Sequence, residues 1–192
     1  MEPLGGETLQ LITRKCEFDY GHRVMNERMK CFNIHGHRGI LELTFAFVNM
    51  DEIGYAIDFK EIKRVGCQWI DDIMDHALLL NPTDKVLVDA AEELASKYWL
   101  MSLNGYGKYC NPTVENLAKE IYLAMEILFV NRDDLFINSI RLYETPNCYT
   151  DCFEPSITSE EREHFYDAKG ETVEEYAKQK GIVEYDDRKL KK

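Results

Sequence analysis

Two histidines flanking a glycine, His35-Gly36-His37, are the most chemically suggestive residues in a chain with five histidines among 192 residues. At the start of a β-strand, side chains at i and i+2 leave the same face, and Gly36 permits close backbone approach. Two imidazoles on one face are two thirds of a catalytic zinc site, which takes three protein ligands and keeps a fourth position open. His22, at the end of the preceding strand, can supply the third. In an antiparallel hairpin the end of one strand lies beside the start of the next. The same residues also read more plainly as polar histidines at a strand junction. Cys31, four residues before His35, reads as a buried thiol or as a proton acceptor activated by a nearby metal. Asp75-His76 pairs a carboxylate with an imidazole, the pattern of an oriented base, although adjacent side chains on regular structure diverge. Glu144 ends an apolar strand and reads as an exposed strand end or as a carboxylate gripping a ligand. Cys148-x3-Cys152 lacks a second pair of ligands, His164 lies in a polar tail, and no P-loop, GxGxxG or GxSxG motif occurs.

The elements that must position these residues are legible in outline. Residues 9–18 have a β-like mixture of apolar and polar side chains. Residues 38–48 alternate, with Leu41, Leu43, Phe45 and Phe47 on one face and Glu42 and Thr44 on the other. A turn at Asn49-Met50-Asp51-Glu52 precedes an expected short return strand over 54–57. Asp58, with Glu61 three residues on, opens a helix whose apolar stripe is Phe59, Ile62, Val65, Trp69, Ile70 and Ile73. Thr113 is the expected N-cap of a second helix with Val114, Leu117, Ile121, Met125 and Leu128 on one face. A strand over 136–144 and a partner over 148–153 complete the set. The expected fold is α+β, an antiparallel four-stranded sheet with two helices packed on one face.

Two segments fall outside this pattern. Residues 84–109, with a helical stretch over 86–99 and a flexible Gly105-Tyr106-Gly107, read as an insertion (about 86–107) within a domain spanning 1–153. Residues 154–192 read as a polar, charged extension, solvated or loosely docked, with a capping box at Thr172-Val173-Glu174-Glu175. Gly5-Gly6 reads as a flexible terminus.

Composition removes whole classes of function. A net charge of −12 argues against a broad footprint on nucleic acid, while leaving room for a local basic pocket. No apolar run approaches the roughly 20 residues that cross a bilayer, so no membrane role is expected. The first fifteen residues contain no secretory h-region, and the six cysteines therefore read as reduced thiols in a cytoplasmic protein.

Six short motifs, in order, carry a resemblance: Phe18-x3-His22-Arg23; Cys31-x3-His35-Gly36-His37; Asp58-Phe59; Asp75-His76 followed by Leu80-Asn81; Pro112-Thr113-x-Glu115-Asn116-Leu117-Ala118; and Glu144-Thr145. Together they resemble the family of 6-pyruvoyl- and 6-carboxytetrahydropterin synthases. The resemblance implies the T-fold (tunnelling fold) and homo-oligomers, often hexamers, with active sites at subunit boundaries. It implies His22, His35 and His37 as ligands of Zn2+, Cys31 as proton acceptor, and Asp75 with His76 as a proton relay. Glu144 becomes the pterin anchor and relay partner, and Thr113 a contact to the pterin ring. The implied substrate is 7,8-dihydroneopterin triphosphate. Within the family, Cys-x3-His-Gly-His marks enzymes of the queuosine and 7-deazapurine route, which release acetaldehyde and triphosphate and leave 6-carboxy-5,6,7,8-tetrahydropterin. A longer Cys-x5-His marks the pyruvoyl-forming branch. The pyruvoyl reaction and a catalytically silent zinc protein are the rival expectations. Tyr20 and Gly21 before the first histidine, the long segment between His76 and Pro112, and residues 154–192 depart from the family pattern.

Overall fold

The computed structural model describes residues 9–104, 110–132 and 134–182. Gly5-Gly6, Gly105-Tyr106-Gly107 and the last ten residues of the expected extension lie outside the described residues.

Two long strands make the frame. β1 (Gln10–His22) and β2 (His35–Phe47) pair antiparallel in unbroken register, from Gln10 opposite Phe47 to His22 opposite His35. Their inner face carries Phe18, Leu41, Leu43 and Phe45, all buried. Their outer face carries polar cross-strand pairs: Thr13 and Thr44 share a hydroxyl hydrogen bond of 2.9 Å, and Lys15 meets Glu42 at 2.6 Å. The period of two read from the sequence is thus the division between core and solvent.

β3 (Ala77–Leu80) pairs parallel with β1, and β4 (Tyr98–Leu100) parallel with β3. On the other side β5 (Leu135–Thr145) pairs antiparallel with β2, and β6 (Cys148–Phe153) with β5. The sheet order is β4-β3-β1-β2-β5-β6. The expected four antiparallel strands therefore form part of a mixed six-stranded sheet. Parallel pairing needs a crossover, and helices supply it twice: residues 59–73 carry the chain back to β1, and the helix over 85–93 carries it from β3 to β4.

Asp58 caps the first helix by accepting from the Lys60 N–H at 2.8 Å. α1 (Phe59–Ile62) runs through a π turn (Lys63–Cys67) into α2 (Gln68–Ile73). A Cβ on Gly66 would stand 2.7 Å from Leu43 Cδ1 and 3.1 Å from Met125 Sδ, so glycine lets the helix backbone rest directly on the sheet. The expected return strand over 54–57 does not form. The Asp51 carboxylate accepts from the Ile53 and Tyr55 N–H groups, which removes those donors from any ladder.

The expected helix over 86–99 is shorter. α3 (Lys85–Glu93) stops before Ala95, which is left-handed at φ 50°, and the chain then enters β4. Trp99 is buried edge-on against Trp69, with ring centroids 5.7 Å apart, and Met101, Leu103 and Cys110 are buried in the same core. Trp99, Met101 and Leu103 thus belong to the main core, whereas Leu87 and Ala91 of α3 pack with Leu80 in a small cluster of their own. α4 (Val114–Leu128) lies against β5 and β6, with Thr113 accepting from the Asn116 N–H at 3.4 Å.

The described part of the tail is docked. Thr158 and Glu161 form a capping box for α5 (Ser159–Phe165), which continues through a π turn (Tyr166–Gly170) into α6 (Glu171–Gln179). Thr172 is thus inside a running helix and caps nothing. Phe165, Val173, Ala177 and Ile182 are buried in the main core. Lys119 reaches Glu161 at 2.6 Å, and the Tyr176 hydroxyl donates to Asp72 at 2.8 Å. Among the described residues no helix is long and apolar enough to cross a membrane.

Candidate metal centre

The register of the hairpin builds the first site. His35 stands opposite His22 and His37 opposite Tyr20, so three imidazoles rise from the inner face at one end of β1 and β2. Their ring centroids are 4.6 Å (His22–His35), 5.1 Å (His22–His37) and 4.9 Å (His35–His37) apart. One ligand nitrogen from each lies within 4.8 Å of the others.

Hydrogen bonding decides where the protons sit. His22 Nδ1 is 2.7 Å from the Pro112 carbonyl, and His35 Nδ1 is 2.7 Å from the Asn33 carbonyl. A carbonyl only accepts, so both Nδ1 atoms donate and both Nε2 atoms, in the neutral rings, carry lone pairs. Those Nε2 atoms face each other at 3.2 Å, and His37 Nε2 is buried without a hydrogen-bond partner. Burial pushes His22 down to about 4, reinforced by His35 and His37 and opposed by the Pro112 carbonyl. His22 is therefore neutral at pH 7 and available as a ligand. Three convergent nitrogens, two held in one tautomer by backbone carbonyls, fit a divalent cation. Glu144 Oε1 lies 3.8 Å from His37 Nε2 and 3.9 Å from His22 Nε2, on the rim of the same site.

Tyr20 walls this site in. Its ring meets His22 edge-on at 5.3 Å and His37 at 5.8 Å, and burial beside Glu144 raises its hydroxyl above the ordinary phenol range. A Cβ on Gly39 would come within 2.9 Å of Phe18 Cε1 and 3.3 Å of Tyr20 Cε1, so glycine there lets both rings lie over the strand.

Cys31 sits in a short 3-10 turn (Lys30–Phe32) of the loop joining β1 to β2. Its thiol is not among the converging ligand atoms. Its carbonyl accepts from the Val24 N–H at 2.7 Å, which closes the loop on itself. The rest of the anchoring comes from residues given no role by sequence reasoning. Arg23 pairs with Asp84 through Nε–Oδ2 at 2.5 Å and Nη2–Oδ1 at 2.6 Å, and its guanidinium lies 5.0 Å from the Phe32 ring. Asn111 Oδ1 accepts from the Met25 N–H and from Asn81 Nδ2, each at 2.9 Å. Asn81 and Asn111 each precede a proline, and that pairing is the trace this network leaves in the sequence. Thr113 stands next to the Pro112 carbonyl that orients His22.

Asp75 and His76 do touch, against the expectation that neighbouring side chains diverge. His76 is left-handed at φ 57°, which turns its ring back so that Nδ1 reaches Asp75 Oδ2 at 2.6 Å. Asp75 Oδ1 accepts from the Asp19 N–H at 2.7 Å, which fixes the carboxylate to β1. The His76 side chain is 76% exposed. It opens on a surface groove lined by Asp19, Arg38, Ser96 and Lys97, with His37 also on its wall. Within one chain the dyad has no hydrogen bond to the three convergent histidines among the described residues.

Residues 11–155 match the family described as 6-pyruvoyl tetrahydropterin synthase. A 6-carboxy-5,6,7,8-tetrahydropterin synthase of Rickettsia felis is 39% identical over 144 residues, covering 72% of this chain and 96% of that protein. The enzyme of the same name from Rickettsia bellii is 38% identical over 143 residues, with the same coverage. In three dimensions the chain is similar to the 6-pyruvoyl tetrahydropterin synthase of Caenorhabditis elegans, with a TM-score of 0.53 at 17% identity, covering 77% of this chain and 96% of that one.

Proposed function

The chain belongs to the 6-pyruvoyl tetrahydropterin synthase family, and from that membership we propose that it acts as a 6-carboxytetrahydropterin synthase of 7-deazapurine (queuosine) biosynthesis. The reaction takes 7,8-dihydroneopterin triphosphate and water to 6-carboxy-5,6,7,8-tetrahydropterin, acetaldehyde and triphosphate. The observation that carries the reading is the convergence of His22, His35 and His37 with two Nδ1 protons held on backbone carbonyls and His37 Nε2 buried without a partner. These three residues would hold Zn2+. Bound there, the ion supplies Lewis acidity to side-chain hydroxyls, which makes the attached carbon-bound hydrogens more acidic.

The chain's own groups do the rest. Cys31, on a turn clamped by Arg23, Asp84 and Asn111, accepts a proton from the substrate side chain. Asp75 holds the Nδ1 proton of His76, which leaves Nε2 exposed to take or return a proton. Glu144 offers a carboxylate to the pterin N–H donors at the rim of the histidine site, and Thr113 contacts the ring from the start of α4. A dyad that is exposed and separate from its own metal centre supports a homo-oligomer, a hexamer in this reading, in which a second copy completes each site.

Incubation of the purified chain with dihydroneopterin triphosphate, followed by mass identification of products, tests the reading. Acetaldehyde with 6-carboxytetrahydropterin supports it. A pyruvoyl pterin without acetaldehyde moves the chain to the other branch, and zinc binding without turnover leaves a silent member of the family.

A further inference from the structure

No step of the reaction proposed above uses Lys97, yet this side chain grips the backbone on which Asp75 and His76 meet. Lys97 lies in the long segment between His76 and Pro112. After α3 the left-handed Ala95 turns the chain, and the Lys97 carbonyl accepts from the Leu78 N–H at 3.0 Å, which seats the residue at the entry to β4. From there Lys97 Nζ donates to the Asp75 carbonyl at 2.7 Å and to the Asp71 carbonyl at 3.3 Å. Asp71 lies in the last turn of α2 and Asp75 just beyond it, where helical carbonyls lack partners and a cation is favoured. The Asp75 N–H reaches back five residues to the Ile70 carbonyl at 2.9 Å, which leaves the Asp71 carbonyl to the lysine.

One peptide group is thereby held at both ends. Its carbonyl, from Asp75, accepts from Lys97, and its N–H, from His76, donates to the Asp19 carbonyl at 2.6 Å. Because the unit is planar, two bonds on opposite edges fix its orientation. The Asp75 carboxylate is fixed as well, with Oδ1 accepting from the Asp19 N–H at 2.7 Å. The carboxylate of Asp19 itself is occupied by Arg38 through two hydrogen bonds of 2.9 Å, so it does not compete for the imidazole. A φ of 57° is uncommon outside glycine and persists where the surroundings over-determine it. Here Lys97 and Asp19 supply that constraint, and the outcome is His76 Nδ1 standing 2.6 Å from Asp75 Oδ2.

We infer that Lys97 is a positioning residue for His76: by holding the Asp75 carbonyl it keeps the imidazole turned onto the Asp75 carboxylate, with the ring proton on Nδ1 and the lone pair on Nε2. The inference rests on the relay role given to His76 above. Lys97 offers three donors and no acceptor, so two carbonyls suit it and an apolar replacement of equal length cannot take its place. Without it the peptide unit is free to rotate, His76 can leave the left-handed region, and Nδ1 parts from Asp75. A neutral histidine ring with no partner at Nδ1 carries its proton mainly on Nε2, which then has no lone pair with which to accept one.

The test compares the full chain with Lys97→Met and Lys97→Arg. Lys97 is exposed, so neither replacement opens the core. Each protein is labelled with 15N-histidine and its ring nitrogens are read by NMR at a pH where imidazole is neutral, with His76→Gln assigning the signal. The parent should carry the His76 proton on Nδ1, and Lys97→Met should move it to Nε2. With dihydroneopterin triphosphate, kcat of Lys97→Met should fall about tenfold or more while KM stays within about twofold, since only the proton-transfer geometry is lost. Zinc content should not change. Lys97→Arg restores donors at the carbonyls and should recover both the Nδ1 proton and most of kcat. A parent ring protonated on Nε2, or a Lys97→Met ring still protonated on Nδ1, would overturn the inference whatever the activity. If the tautomer moves as expected but the parent turns over no substrate, the positioning by Lys97 stands and the relay reading fails.

Discussion

Replacing Asp84 should be costly, because its carboxylate is buried against the Arg23 guanidinium. Asp84 is 2% exposed, and the Arg23 side chain that it pairs with is 17% exposed. Two hydrogen bonds of 2.5 and 2.6 Å hold the guanidinium. Removing one partner of a buried ion pair costs about 3–5 kcal/mol, because the other charge stays behind without compensation. Arg23 keeps an accessible edge that water can reach, which puts Asp84→Ala near the lower end, about 3 kcal/mol. Asp84 also caps α3, and loss of a cap adds about 1 kcal/mol. Asp84→Ala should therefore lose about 4 kcal/mol in urea unfolding, read as a lower midpoint at constant slope. Asp84→Asn keeps the cap and the shape, so it should lose about half as much. The double replacement Arg23→Leu with Asp84→Leu should cost less than Asp84→Ala, since no charge is stranded. An Asp84→Ala protein within about 0.5 kcal/mol of the parent would refute this account of how the Cys31 loop is anchored.

Three further outcomes follow from the core. Gly39→Ala drives a methyl into the Phe18 and Tyr20 rings and should cost about 1–3 kcal/mol while loosening metal retention; unchanged zinc content would separate Tyr20 from the metal centre. Phe165→Ala empties a fully buried position in the docked tail and should lose about 3–5 kcal/mol in urea unfolding, whereas a loss below about 1 kcal/mol would mean that the tail contributes little. Glu120 is fully buried, accepting from Trp99 Nε1 and from Ser102, with Lys169 and Cys110 near it. Burial raises its folded-state value, so its contribution is complete below the ordinary 4.5 and is lost as pH rises through the folded value. Glu120→Gln should then gain stability relative to the parent as pH increases above 4.5, and parallel pH profiles for the two proteins would contradict it.

The convergence of the three histidines was legible because it is local. His22, His35 and His37 sit at the two ends of one hairpin connection, and the alternation through Leu41, Leu43 and Phe45 sets the face they share. The contact between Asp75 and His76 was not legible, since it depends on a left-handed backbone that no side-chain pattern announces. β4 was hidden for a different reason. Tyr98–Leu100 follows a helical run without a turn signal, and only pairing with β3 makes it a strand. In the tail, the charges mask an apolar series at Phe165, Val173 and Ala177 that packs on helices. Arg23, Asp84 and Asn111 were out of reach because their hydrogen bonds join segments up to 86 residues apart in the chain.

The most direct test compares His37→Ala with Cys31→Ala, measuring zinc content and acetaldehyde formation from dihydroneopterin triphosphate in the same preparations. The parent should hold about one zinc per chain and release acetaldehyde. His37→Ala should lose both, whereas Cys31→Ala should keep the zinc and lose the acetaldehyde. Full zinc content and acetaldehyde release in His37→Ala, or zinc loss in Cys31→Ala equal to that in His37→Ala, would contradict the roles given to these residues.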